Sequence, residues 1–168
     1  LNFSNCERKC EMADYAHIAS YGGIFFRKSQ AYIKASVKPY GISFVDTVVL
    51  INVCENPGII QEKIAYNLAL DDAAVARSLK HLESLDLVER TIDEANQRTK
   101  KVTVRPKGEK LKVRIDEIML HWNNMFFEGF DSIDHDNIVK ALFLLRERAL
   151  EVNVDQAVRS FNYSESEK

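Results

Sequence analysis

The chain has 168 residues, of which 46% are hydrophobic and 29% are charged, and its net charge is −2. This composition is typical of globular proteins and excludes a disordered or fibrous chain. The length suits one core with an added helical layer, and no apolar run approaches the roughly 20 residues of a membrane-spanning helix. We therefore expect a cytoplasmic protein.

Positive charge is concentrated in one segment. Residues 96–114 contain eight Lys or Arg side chains and a single acidic residue, Glu109, whereas residues 115–168 contain 5 basic and 11 acidic residues. A local basic patch on a weakly acidic protein is what phosphate contact requires. The charge distribution therefore favours a nucleic-acid partner, although the net charge does not.

The first half of the chain predicts helices separated by short breaks. The predicted helices span residues 12–38, 43 or 44 to 55, 60–68 and 72–85. Residues 39–41 (Pro-Tyr-Gly) end the first helix, and residues 56–58 (Asn-Pro-Gly) form a turn. Ser43 and Asp71 are the expected N-caps of the second and fourth helices, because their side-chain oxygens can accept hydrogen bonds from free backbone N–H groups.

The second half predicts a β-hairpin and two long helices. Residues 87–92 and 101–104 are the expected strands, with a polar tip at residues 93–99. Helices follow over residues 107–127 and 134–161. The fold class is therefore mainly α with a small β-hairpin wing. We predict a winged helix-turn-helix at residues 43–106, between helical dimerisation segments at residues 1–42 and 107–168.

This order of elements fits a duplex groove and its flanking backbone. The outer face of the fourth helix carries small and basic residues, of which Ala73 and Ala74 suit thymine methyl groups and Arg77 can pair with guanine. Arg98 at the hairpin tip would enter the minor groove. The predicted DNA-binding residues are Gln61, Ala73, Ala74, Arg77, Lys80, His81, Arg98, Thr99, Lys100 and Lys101. The other interpretation is a solvated helix face and a hairpin kept soluble by charge.

Taken together, residues 61–65, 74–83, 87–90, 96–104 and 107–108 resemble the multiple-antibiotic-resistance regulator (MarR) family of bacterial transcription factors. The resemblance implies a homodimer formed by the first, fifth and sixth helices, acting most often as a repressor on a pseudo-palindromic operator. Asn96 and Asp86 depart from the family, which usually has Asp and Gly there, and so does Ile60 in place of a capping Ser or Thr. These departures leave open a winged-helix protein-interaction module without DNA binding.

Aromatic residues on the first and fifth predicted helices raise the question of a ligand. In relatives, small aromatic or phenolic effectors bind between the dimerisation helices and the winged domain. The corresponding candidates here are Tyr15, His17, Tyr21, Phe25, His121 and Trp122. The alternative, which the composition favours, is that they are core and interface aromatics.

The cysteines and histidines predict neither a metal site nor catalysis. Cys6, Cys10 and Cys54 do not form a disulfide framework or a zinc-ligand pattern. We expect Cys54 to be a small buried hydrophobe, and Cys6 and Cys10 are candidates for an oxidant response. The four histidines lie apart from any nucleophile, and no glycine-rich phosphate loop is present. We expect no enzyme activity and no cofactor.

Overall fold

The computed structural model describes residues 15–93 and 96–166, and side chains from residue 17 to 92 and from 100 to 161. The elements in chain order are α1 (Tyr15–Val37), a 3-10 turn (Lys38–Tyr40), α2 (Phe44–Glu55), β1 (Ile59–Ile60), α3 (Gln61–Leu68), α4 (Asp72–Ser84), β2 (Val88–Asp93), β3 (Asn96–Val104), α5 (Pro106–Phe127), α6 (Ser132–Glu151) and α7 (Val154–Ser166). The expected mainly helical fold with a small β wing is confirmed.

Two side-chain caps fix the beginnings of α2 and α4. Ser43 and Asp46 form a capping box, in which each side chain accepts a hydrogen bond from the other residue's backbone N–H. Asp71 accepts a hydrogen bond from the backbone N–H of Ala74 at 2.7 Å. Both predicted N-caps are therefore present, and α4 begins directly after the short turn that links it to α3.

The wing is an antiparallel sheet in the order β1-β3-β2. Val88 pairs with Val104 and Arg90 with Val102, so β2 and β3 form the expected hairpin. On its other side β3 pairs with β1, where Ile59 lies opposite Val102. The strand β1 was not predicted from the sequence, because two residues are too few to show the alternation of a strand.

The hairpin is longer than the sequence prediction. Residues 93–99 were expected to form its tip, but β2 continues to Asp93 and β3 already begins at Asn96. The register shifts between Ile92 and Asp93, as at a β-bulge. Polar residues can pair through their backbones as apolar ones do, so the polarity of this segment was a poor guide to where pairing stops.

The last predicted helix, residues 134–161, is two helices. The chain leaves the helical conformation at Val152, whose ψ is 120°. Asn153 then accepts a hydrogen bond from the backbone N–H of Gln156 at 2.9 Å and thereby begins α7. A side chain that caps a new helix competes with continuation of the old one, which explains the break.

The core lies where α2, α3, α4 and the sheet meet the end of α1 and the first half of α5. Its fully buried large side chains include Leu50, Ile64, Leu79, Leu82 and Ile115. Gly108 in α5 packs closely on the chain before β2, since a Cβ atom there would lie 2.1 Å from the carbonyl oxygen of Leu87.

Within the described residues no single helix is long and apolar enough to span a membrane. The segments His17–Tyr40 and Phe44–Glu55 together have the required length and composition, but they are bent by 83° relative to each other.

Candidate nucleic-acid interface

Helix α4 divides into a buried face and an exposed face. Val75, Leu79 and Leu82 are completely buried in the core, which fixes the orientation of the helix. The predicted residues Ala73, Arg77, Lys80 and His81 are exposed, and Ala74 is partly exposed. The structure therefore brings five of the predicted DNA-binding residues onto the solvent side of one helix.

A buried carboxylate holds α4 against the beginning of α2. Asp46 is only 4% exposed, and its Oδ1 accepts a hydrogen bond from the Ser78 hydroxyl at 2.7 Å. Its Oδ2 lies 2.9 Å from Nδ1 of His81 and accepts from both the backbone N–H and the hydroxyl of Ser43 at 2.8 Å. His81, one of the predicted site residues, is thus hydrogen-bonded to a buried carboxylate while its side chain remains exposed to solvent.

The hydrogen bonds also settle the charge of this carboxyl group. Burial on its own would raise the pKa of Asp46, but the donors from Ser43, Ser78 and His81 outweigh it and lower the pKa below its ordinary value of 3.8. Asp46 is therefore an ionised acceptor at neutral pH. Asp46 and Ser78 were not predicted from the sequence as site residues, although the spacing of Ser43 and Asp46 is that of a capping box.

An open cavity of about 280 Å³ lies in front of this network. Both helices contribute to it. Its lining residues are Ser43, Val45, Asp46, Ala74, Arg77, Ser78 and His81. Two of the predicted DNA-binding residues with polar side chains, Arg77 and His81, therefore face a common space at the surface.

The wing brings further predicted residues next to this helix pair. Lys100 and Lys101 are exposed on β3. Lys101 lies opposite Ile60 in the sheet, so Gln61, the first residue of α3, follows directly on the strand that borders the wing. Arg98 and Thr99 belong to β3 by their backbone, and their side chains lie outside the described set.

Several other basic residues of the segment after the wing are paired within the protein. Arg105 lies 2.9 Å from Asp86 and 3.9 Å from Glu89. Lys107 donates to the carbonyl oxygen of Leu85 at 2.7 Å, and Lys112 is paired with Asp116 at 2.7 Å. The eight basic residues of this segment therefore overstate the charge available to phosphates.

Asp86 adopts the conformation that its position in the turn requires. Its φ is +62°, in the left-handed region where glycine is the usual residue. The ion pair with Arg105 accompanies this conformation. The departure at Asp86 therefore leaves the turn between α4 and β2 intact.

The predicted effector residues fall into two groups. Trp122 stacks on Tyr32 with ring centres 4.4 Å apart and donates a hydrogen bond to the hydroxyl of Ser29 at 2.9 Å. Phe25 and His121 lie next to this stack. Phe25 contacts Phe126, which packs on Trp122, and His121 lies beside Tyr32. The centroid distances are 5.2 Å between Phe25 and Phe126, 4.4 Å between Trp122 and Phe126, and 6.4 Å between Tyr32 and His121.

His17 and Tyr21 form a separate stacked pair, with ring centres 5.3 Å apart. The side chain of Tyr15 lies outside the described residues. Tyr32 and Phe126, which complete the stack around Trp122, were not predicted from the sequence. Their helical spacing from Phe25 and Trp122 was the signal that could have identified them.

The cysteines show no reactive arrangement in the part of the chain that is described. Cys54 is half-buried, and burial raises the pKa of its thiol to about 11, which disfavours the nucleophilic thiolate. Cys6 and Cys10 lie outside the described residues. Among residues 15–93 and 96–166, no group of His, Cys, Asp and Glu side chains could hold a metal ion.

Comparisons with known proteins agree with this architecture. The model of the MarR family matches residues 42–100. Over 98 residues the chain is 33% identical to the "Uncharacterized HTH-type transcriptional regulator YybA" of Bacillus subtilis, an alignment that spans 58% of this chain and 65% of that relative. The chain thus spans just under two thirds of the length of this relative.

Solved structures show the same fold. A MarR transcriptional regulator from Methanosarcina mazei superposes with a TM-score of 0.75 at 28% identity, covering 81% of this chain and 98% of the other. A MarR family regulator from Listeria monocytogenes, complexed with 26mer DNA, has a TM-score of 0.77 at 24% identity and covers 83% of this chain and 91% of its own.

Proposed function

We propose that the chain is a cytoplasmic repressor of the MarR family that binds double-stranded DNA as a homodimer and is not an enzyme. The match of the family model to residues 42–100 and the MarR regulators of known structure with the same fold support this proposal. The observation that carries the proposal is the two-faced α4 helix, anchored by three buried apolar residues and presenting Arg77, Lys80 and His81 to solvent. A relative of the same fold is complexed with 26mer DNA.

Each part of the interface has a distinct task. The first turn of α4 would approach the bases, where Ala73 and Ala74 contact thymine methyl groups and Arg77 donates two hydrogen bonds to guanine. Lys100 and Lys101 on the wing, together with Gln61 at the beginning of α3 and Lys80 on α4, would contact phosphates, which position the protein without reading sequence. For Arg98 and Thr99 we propose a place in or beside the minor groove.

The proposed homodimer is supported by the helices outside the core. No residue of α6 is buried within one chain, yet its exposed side chains include Val139, Leu142, Phe143, Leu144 and Leu145. Exposed apolar surface of this extent marks an interaction site. A two-fold dimer through these helices would place the two α4 helices in successive major grooves, about 10 base pairs apart on a pseudo-palindromic site.

Release by a small aromatic or phenolic effector is a separable part of the proposal. It is supported by the aromatic stack of Phe25, Tyr32, Trp122 and Phe126, with His121 beside it. Because Trp122 is the only tryptophan of the chain, its fluorescence reports on this stack directly. Titration with salicylate should quench Trp122 and weaken DNA binding; quenching without a change in DNA affinity would contradict the effector role.

The test of DNA binding uses duplexes with a randomised centre, from which the protein selects its preferred sequence. The affinity for the selected duplex is then measured for the parent, Arg77→Ala and the control Lys140→Ala on α6. We expect Arg77→Ala to weaken binding by about 1–3 kcal/mol and the control to bind as the parent does. Absence of any enriched sequence would contradict the proposal and favour a winged-helix protein-interaction module.

A further inference from the structure

Asp46 lies on α2, which does not contact DNA in the proposed function. Its side chain is nevertheless hydrogen-bonded to α4, the helix that is proposed to contact the bases. Its carboxylate accepts one hydrogen bond from the hydroxyl of Ser78 and is bonded to Nδ1 of His81, at 2.7 and 2.9 Å. The remaining hydrogen bonds come from Ser43, the N-cap of α2, at 2.8 Å. The buried carboxylate therefore joins the N-terminus of α2 to the middle of α4.

The two bonds to α4 fix how that helix is rotated. Ser78 and His81 are three residues apart and so lie on the same side of the helix. A helix turns by about 100° for each residue, so a small rotation of α4 changes which side chains point outward. The apolar contacts of Val75, Leu79 and Leu82 on the neighbouring buried face also restrain this rotation but lack the directionality of hydrogen bonds.

The same carboxylate orients His81. An ionised carboxyl group only accepts hydrogen bonds, so Nδ1 of His81 carries the hydrogen in this contact. The imidazole is thereby held with Nδ1 inward, and Nε2 is the ring nitrogen left for a ligand. His81 and Arg77 both line the cavity of about 280 Å³ between the helices.

We propose that Asp46 is a positioning residue for DNA recognition, which fixes the rotation of α4 and the orientation of His81 so that Arg77 and Nε2 of His81 face a base edge together. This inference rests on the proposed DNA binding and deepens it. A carboxylate suits the task because Ser43, Ser78 and His81 all supply donors. The amide of asparagine would direct its own N–H group at one of them.

The experiment compares two affinities for each variant: that for the duplex selected by the parent and that for a scrambled duplex of the same composition. Their ratio is independent of the fraction of folded protein, since loss of active protein lowers both apparent affinities alike. Asp46→Asn is compared with Thr47→Val, because Thr47 is buried beside Asp46 and donates only to the backbone of Ser43 at 2.8 Å.

We expect Asp46→Asn to lower the ratio of the two affinities by about tenfold, within the range that one misplaced base contact causes. Thr47→Val should leave the ratio unchanged even where it lowers the melting temperature. If Asp46→Asn does not fold, Ser78→Ala carries the test with a smaller decrease, because Ser78 bonds to the carboxylate but is not proposed to contact DNA. An unchanged ratio in these variants overturns the inference.

A double-mutant cycle distinguishes positioning through His81 from an independent structural effect. If Asp46 acts on recognition by orienting His81, adding Asp46→Asn to His81→Leu should lower the ratio by less than the product of the two single effects. Multiplicative effects would overturn the inference while leaving DNA binding intact. A parent protein that enriches no sequence overturns both proposals, so the two failures are distinguishable.

Discussion

Two regions of the molecule bury their apolar side chains to different extents. The winged region runs from α2 to β3, and the helical region consists of the first half of α1, the end of α5, α6 and α7. In the winged region Leu50, Leu79 and Leu82 are completely buried within one chain. In the helical region Leu142 and Leu145 remain 56% and 52% exposed. The apolar residues of the first region are therefore buried within one chain, whereas those of the second stay exposed, and exposed apolar surface of this extent supports the proposed dimer.

The largest effect is expected from a cavity in the winged region. Leu79→Ala removes a completely buried side chain and should lower the free energy of unfolding by about 2–5 kcal/mol, as measured by urea denaturation. The matched variant Leu142→Ala on α6 should change the stability of the dilute, dissociated chain little. Equal losses of unfolding free energy in both variants would contradict the difference between the two regions.

Gly108→Ala tests the close approach of α5 to the winged region. The added methyl group would overlap the carbonyl oxygen of Leu87, and we expect a loss of about 1–3 kcal/mol in unfolding free energy. Gly22 on α1 is the control, because a Cβ atom there meets nothing within 4 Å. Gly22→Ala should stabilise the helix by up to about 1 kcal/mol; a loss there similar to that at Gly108 would contradict the assignment of the Gly108 effect to the close contact with Leu87.

Acidification should destabilise the winged region through Asp46. Burial alone would raise the pKa of this carboxyl group, but its hydrogen bonds lower it. The associated stability is therefore complete above the ordinary pKa of 3.8 and is lost as the pH falls through the lower folded-state value. Thermal unfolding from pH 6 to pH 2 should show a smaller acid dependence in Asp46→Asn than in the parent. Identical profiles would contradict the assignment of the lowered pKa to Asp46.

The smallest effect concerns the wing. Lys100→Ala should weaken binding to selected and scrambled duplexes alike and reduce the slope of log affinity against log salt by about one unit, because one phosphate contact is lost. Lys112, which is already paired with Asp116 at 2.7 Å, provides the control: Lys112→Ala should leave the slope unchanged. A slope that responds to both substitutions would place the DNA on α5 as well as on the wing.

Local signals explain which parts of this structure could be predicted. Ser43 and Asp71 cap the helices that follow them within three residues, and the spacing of Val75, Leu79 and Leu82 shows directly which face of α4 is buried. These features depend on neighbours in the chain, so the helix pair and the hairpin followed from the sequence.

Long-range pairing explains the rest. Asp46 meets Ser78 and His81 across 32 and 35 residues, and one sequence contains no sign of such a contact. Arg105 belongs to the basic segment of residues 96–114, but the fold places Asp86 at 2.9 Å from it. The break was missed because it depends on the side chain of Asn153 capping α7, and an Asn within a helical stretch does not by itself show a break. The residues proposed to bind DNA were thus predicted from the sequence, but what holds them in place was not.

The most direct test of the account is the mass of the protein in solution, free and bound to its selected duplex, measured by sedimentation equilibrium. The exposed helical region predicts a free particle of twice the 19.3 kDa of one chain, and two chains on each duplex. Leu142→Glu combined with Leu145→Glu should convert it to a folded monomer with weakened DNA binding. A parent that is monomeric at micromolar concentration and binds the duplex as a single chain would contradict the account.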